Sequence, residues 1–266
     1  MQFALNYSPQ ALELLRSGRL EFDLFKCPDW PETIAEAQAQ KPVYVHFPLV
    51  AGQQNVEKVG LDNIENLLAE TGTHYVNTHI AARYEDLNDP ENVDEVVERM
   101  LADIMPLVER FGADRIIAEN VPFPDIPDDK PRAIVMPQVI QRVIYESGCG
   151  LLLDISHARL TSEFLGIDTR DYITQLPVER LRELHITGVG LDNEGRRSDH
   201  MPMTGEDWQL LEWALSSIRR GMWGRPQIVA CEYGGIGPFF EWRTNPAVML
   251  TDIPRMYGLV RALQFV

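Results

Sequence analysis

Imidazole and carboxylate side chains recur in this sequence at or near the ends of short apolar runs, and that donor mixture is the chemistry of a metal centre. His46 lies in Val43 to Phe47 (VYVHF), His79 ends His74 to His79 (HYVNTH), Glu119 ends Asp114 to Glu119 (DRIIAE), and Asp154 lies in Leu151 to Ile155 (LLLDI). His185 lies in Arg182 to Thr187 (RELHIT), and Glu232 ends Gln227 to Glu232 (QIVACE). His157 follows Asp154 by three positions (DISH), a spacing that lets both turn toward one ion where a strand gives way to a loop. Asp199 and His200 add a contiguous pair. Any one of these histidines alone reads as a hydrogen-bonded core residue, and any one acid as a helix cap. Together they read differently, because burying four acids side by side without cations costs on the order of several kcal/mol each. Imidazole with carboxylate and no thiolate favours Fe, Mn or Zn over Ca or Cu(I). At roughly four to six donors per ion, with carboxylates bridging, these nine residues suit two or three ions.

Such a cluster needs strands that converge. The runs above, with Glu21 to Phe25 (EFDLF), predict seven buried strands, and Arg197 to His200 is the expected eighth. Between them the spacing predicts helices; the plainest runs from Glu91 to Phe111, where Val93, Val96, Val97, Met100, Leu101, Ile104, Leu107 and Val108 share a face and Gly112 stops it. Eight units in 266 residues is about 33 residues each, the length of a strand, a helix and two loops. The expected fold is therefore α/β, one (β/α)₈ barrel over residues 1–266, with its site at the C-terminal ends of the strands. His74 begins its run and is expected on the opposite rim. Val121 to Pro131 (VPFPDIPDDKP) and Gly188 to Arg197 (GVGLDNEGRR) are expected loops and candidate lids. On a regular strand Asp199 and His200 would face opposite ways, so that pair is not yet explained.

Composition narrows the partners. Asp and Glu number 40 against 24 Lys and Arg, a formal charge of −16, which argues against broad electrostatic binding of nucleic acid or anionic membrane. The three cysteines, Cys27, Cys149 and Cys231, are unpaired in spacing, so a reducing cytoplasm is the expected location, and Cys231 is expected to face the helices. No run of 18 apolar residues exists to span a bilayer, and the first fifteen residues carry Asn6, Gln10 and Glu13 rather than a targeting pattern.

The segment Ser147 to Gly190 (SGCGLLLDISHARLTSEFLGIDTRDYITQLPVERLRELHITGVG) resembles the matching block of the multinuclear non-haem iron-dependent oxidative enzymes of the methanobactin-biosynthesis type. The order of VHF, NTH, AEN, SDHMP followed by EDWQLLEWAL, and CEYGG agrees with that family. The resemblance implies a xylose-isomerase-like barrel holding two or three irons. It implies oxidation, with dioxygen, of cysteine or other residues of ribosomally made precursor peptides, often with a partner protein that presents the peptide. Asp154 to His157 and Thr204 to Asp207 (TGED) are also similar to endonuclease IV and to sugar isomerases of the same superfamily. A phosphoester hydrolase, a sugar isomerase or epimerase, and a non-catalytic metal protein therefore stand as alternatives to oxidation of a peptide or small thiol. Near the predicted rim, Phe47, Phe123, Tyr233, Phe239 and Trp242 either wall a peptide or pack beneath the loops. Arg243 is placed to clamp a carboxylate or phosphate, and Asn120 and Tyr233 complete the expected substrate contacts.

Overall fold

The computed structural model describes residues 1–124 and 129–263. Its strands are β1 (Gln2–Asn6), β2 (Leu24–Cys27), β3 (Val43–Val45), β4 (Val50–Ala51), β5 (Val76–Ile80), β6 (Ile116–Glu119), β7 (Gly150–Asp154), β8 (Leu181–Ile186), β9 (Gly188–Leu191), β10 (Arg197–Met201) and β11 (Ile228–Cys231). Nine of them form a parallel sheet in the order β3-β2-β1-β11-β8-β7-β6-β5-β4. The sheet curls until its two edges, β3 and β4, are successive stretches of one segment. Across the break between them Asn77 acts as a stand-in for backbone: its Oδ1 accepts from Phe47 N (2.7 Å) and its Nδ2 donates to Phe47 O (3.0 Å). Beside it Val45 N donates to Thr73 Oγ1 and His79 N to Leu49 O.

Alternation along the strands sorts the side chains. The outward set joins one large core with the helices, including Phe3, Leu5, Phe25, Val45, Leu151, Leu153 and Cys231. The inward set begins with small apolar clusters, Ala4, Leu24, Tyr44, Ile228 and Ala230 on one side and Tyr75, Ile117 and Leu152 on the other. Two residues further along each strand, on the same face, stand Lys26, His46, Asn77, Glu119, Asp154 and Glu232. All three cysteines are buried; burial pushes the Cys27 and Cys231 thiols up to about 12, so they are inert core groups.

Helices close the outer layer for the reasons the sequence gives. Val93–Phe111 starts at Asn92, whose side chain accepts from Asp94 N and Glu95 N, and ends at Gly112. Its buried face is Val96, Val97, Met100, Ile104 and Leu107. No helix among the described residues is long and apolar enough to cross a membrane.

The expected strands are present with ends shifted by up to three residues, except the eighth. Arg197 to His200 does not join the main sheet: β10 pairs antiparallel with β9 in a separate hairpin. The slot falls to β1, whose short run QFALN holds only three apolar residues between polar ends. Gly188 to Arg197 is accordingly half strand, not loop. Gly188 starts it because a Cβ there would lie 1.9 Å from Pro202 O. Of the other expected loop, residues 125–128 lie outside the described residues.

Candidate metal centre

His46, His79, Glu119, Asp154, His157, His185, Asp199, His200 and Glu232 gather at the C-terminal ends of the strands. Glu119, Asp154, His185 and Glu232 are buried to 4% exposure or less. Three donor groups have atoms within 4.8 Å of one another: His46, Glu119 and His185; Glu119, Asp154 and His157; Asp154, His185 and Glu232. His74 is exposed at the start of β5, away from them.

The imidazoles are aimed from behind. His79 Nδ1 is 3.0 Å from Leu49 O, His157 Nδ1 2.8 Å from Asn120 O, and His200 Nδ1 2.6 Å from Glu232 O. A carbonyl only accepts, so each Nδ1 carries the proton and each Nε2 turns a lone pair inward. Those Nε2 atoms then face acceptors: His79 to Glu119 Oε2 at 3.3 Å, His157 to Asp199 Oδ2 at 3.0 Å, His200 to Asp199 Oδ2 at 3.6 Å. His185 is reversed; its Nε2 meets Glu183 Oε1 (2.7 Å) and its Nδ1 faces Glu232 Oε1 (2.9 Å). Glu183 also accepts from Tyr44 OH (2.8 Å). Lone pair against carboxylate is repulsive unless a proton or a metal ion lies between. His185 Nδ1, Glu119 Oε2 and Asp154 Oδ2 are buried without a hydrogen-bond partner, a cost of about 1–3 kcal/mol each that metal ligation removes. The donor set therefore fits metal ions.

Electrostatics agree. Burial works to lower His157 and His185, but Asp154 foremost for the first and Glu232 foremost for the second raise both well above the usual imidazole range. His46 is driven well below it by burial and then by Lys26. Burial, with the charges of Glu232 and Glu119, pushes the Asp154 carboxyl up to about 6 against the pull of His157. Glu119 and Glu232 stay below the ordinary carboxylate range despite burial, through His79 first and Lys26 first respectively.

Asp154 combines the two roles weighed for it. Its Oδ1 caps the helix Ile155–Leu165 by accepting from His157 N (2.8 Å), which leaves Oδ2 for the site. Asp199 and His200 share a face because the register shifts between Ser198 and Met201 and His200 takes φ 55°, a left-handed bulge. Thr204 to Asp207 is a capping box for the helix Gly205–Arg219, and Asp207 also pairs with Arg159 at 2.5 Å.

The expected substrate contacts stand at different depths. Asn120 exchanges two 2.9 Å bonds with the backbone of Asp154. Arg243, 4% exposed, donates to Asp199 O at 3.0 Å, and Tyr233 OH accepts from Asn245 N. Phe47 is fully buried, Phe123 packs on Phe164, and Trp242 is 43% exposed; the side chain of Phe239 lies outside the described residues. Three site residues escaped sequence reading: Lys26, bonded to Glu232, with Tyr44 and Glu183. Their signal was a charged or hydroxyl group on the inward face of a buried strand. A cavity of about 210 Å³, lined by Tyr7, Lys26, Trp30, His46, Ile236 and Phe240 among others, opens beside His46. A larger one of about 850 Å³ lies against Arg99 and Arg110 and shares no residue with the centre.

Known proteins resemble this chain in sequence and fold. The chain is 24% identical over 220 residues to a UPF0276 protein of Acaryochloris marina, covering 80% of this chain and 74% of the other. It superposes on a xylose isomerase domain protein of Salmonella typhimurium with TM-score 0.58 and 20% identity, covering 98% and 97% of the two chains. The D-psicose 3-epimerase of Clostridium cellulolyticum H10 follows with TM-score 0.59, 13% identity and 99% of each chain. At these identities the solved structures establish a xylose-isomerase-like fold. The family model for the RiPP precursor modification enzymes MbnB/TglH/ChrH matches residues 25–222, and the chain belongs to that family of enzymes.

Proposed function

We propose that this chain is a multinuclear iron enzyme that oxidises a residue of a ribosomally made precursor peptide, a cysteine or other thiol-bearing group in the leading version. The observation that carries it is the ring of imidazoles held by outer acceptors with their inward nitrogens on shared carboxylates, in a chain of a peptide-modifying family. We read β3 and β4 as halves of one interrupted strand, which makes the sheet an eight-stranded barrel and the centre its C-terminal mouth.

On this reading His46, His79, Glu119, Asp154, His157, His185, Asp199, His200 and Glu232 hold two or three ions. Iron, when bound, supplies Lewis acidity and redox chemistry with dioxygen. The chain's own groups do the rest. Glu183, backed by Tyr44, keeps the proton on His185 Nε2; Asn120 fixes Asp154; Arg243 fixes the turn that carries Asp199. The cavity beside His46 is smaller than the roughly 300–1,000 Å³ of drug-sized pockets, so it suits one side chain of a longer peptide. Trp242 at the rim is the aromatic that meets that peptide. The family match favours this chemistry over phosphoester hydrolysis or sugar isomerisation, which the same fold also hosts.

The test is purification without chelator under anaerobic conditions, elemental analysis, Mössbauer spectroscopy of iron-57 protein, and oxygen uptake with a Cys-containing precursor peptide. Iron at two to three equivalents with peptide-dependent oxygen uptake is expected. Zinc alone, or iron with no uptake, removes the oxidative reading.

A further inference from the structure

The centre carries a cation of its own. Lys26 on β2 is buried and its ammonium bonds Glu232 Oε1. That same oxygen lies 2.9 Å from His185 Nδ1. Among the described residues, only one of the three donor groups uses Glu232, the one formed with Asp154 and His185. An ion entering that group therefore shares the Glu232 carboxylate with Lys26 and meets its ammonium at close range. It must also win His185 from the group of His46 and Glu119. His185 Nε2 is spent on Glu183, and the single lone pair of Nδ1 serves one ion, whereas the carboxylates of Glu119 and Asp154 can each bridge two.

Charge points the same way. Five carboxylates, Glu119, Asp154, Glu183, Asp199 and Glu232, meet one ammonium here. The buried Arg243 guanidinium, which bonds Asp199 O, offsets one more, and the remaining three negative charges are exceeded by one with two divalent cations and by three with three, neutral imidazoles adding none. Excess charge of either sign is unfavourable in so dry a site.

Resting on the metal-centre reading above, we propose that Lys26 is a built-in monovalent cation that occupies the place of a third metal ion at Glu232 and limits the tightly held complement to two. Lys26 is then a positioning residue that sets stoichiometry, and the group containing Glu232 is the weak one.

Anaerobic Fe(II) titration of the full chain, with metal counted after gel filtration against a competing chelator, tests this. Wild type and Lys26→Arg are expected to retain two equivalents, and Lys26→Met to retain a third or to bind it at least about tenfold more tightly, since a contact charge has been removed. Lys26→Met behaving as wild type, or wild type itself holding three equivalents tightly, overturns the proposal. Wild type that retains no metal instead overturns the metal-centre reading. If Lys26→Met gives no cooperative melt, Glu232→Gln answers the same question: two equivalents retained supports the proposal, and loss of one overturns it.

Discussion

The centre has two halves built by different rules. Glu119, Asp154, His185 and Glu232 project from the parallel sheet, where the pleat alone decides their direction and burial is nearly complete. Asp199 and His200 come from a two-stranded hairpin outside that sheet, are about 15% exposed, and face inward through a bulge and a left-handed backbone. All three close donor groups draw on sheet residues and the helix-borne His157; none includes the hairpin pair. The difference teaches that the sheet supplies the close donor groups, while the hairpin closes over them and meets His157, whose Nε2 lies 3.0 Å from Asp199.

Disturbing the two halves unequally can break that contrast. Glu119→Gln, which strikes two donor groups at once, is expected to weaken metal retention by at least about 100-fold, beyond what an outer partner costs; elemental analysis reads it, and retention within a few-fold of wild type would place the anchor elsewhere. Glu183→Gln leaves every donor in place but loosens His185, so metal affinity should drop roughly 10–100-fold, measured by chelator competition. Next in size is pH. The Asp154 carboxyl, pushed up to about 6, must release its proton to ligate. That proton adds to those of His157 and His185, which are also held well above the usual imidazole range and must be lost on ligation, so affinity should keep rising with pH above 7 and fall by about a further tenfold per unit as pH drops below 6. Asp199 does not share this: although burial raises it, His200 foremost and His157 hold it low. A titration whose further slope below pH 6 vanishes in Asp199→Asn rather than Asp154→Asn would reverse the assignment of halves. The smallest effect belongs to the bulge itself. His200→Gly should melt higher than His200→Ala, because only alanine retains the left-handed cost of about 1–2 kcal/mol; at this chain length that is a few degrees, visible by calorimetry.

This division also marks what the sequence disclosed. Period-two alternation in VYVHF, DRIIAE, LLLDI and QIVACE already places His46, Glu119, Asp154 and Glu232 on one face, and parallel strands that open at one end bring them together without further information. The hairpin was hidden because its chirality sits in a single φ and a one-residue register shift, which leave no periodic trace. β1 was missed for the opposite reason: too few apolar residues in QFALN to stand out, though Ala4 and Leu5 are fully buried between β2 and β11. Lys26 and Glu183 went unread because a charge within an apolar run looks like a flaw until its partner, fixed by tertiary structure, is known. The TGED stretch pointed toward chemistry and turned out to be a helix start, since the capping box uses the same residue types.

Asn77 stitches the gap between β3 and β4 through Phe47 and, with the same Nδ2, stands 3.2 Å from His46 Nε2. One amide thus seams the wall and steers a donor. Neither task can drift independently: a mutation that refashions the reactivity of His46 through this neighbour also unpicks the join, so variation at position 77 is constrained twice, and successful change there would have to arrive together with a new way of sealing the wall.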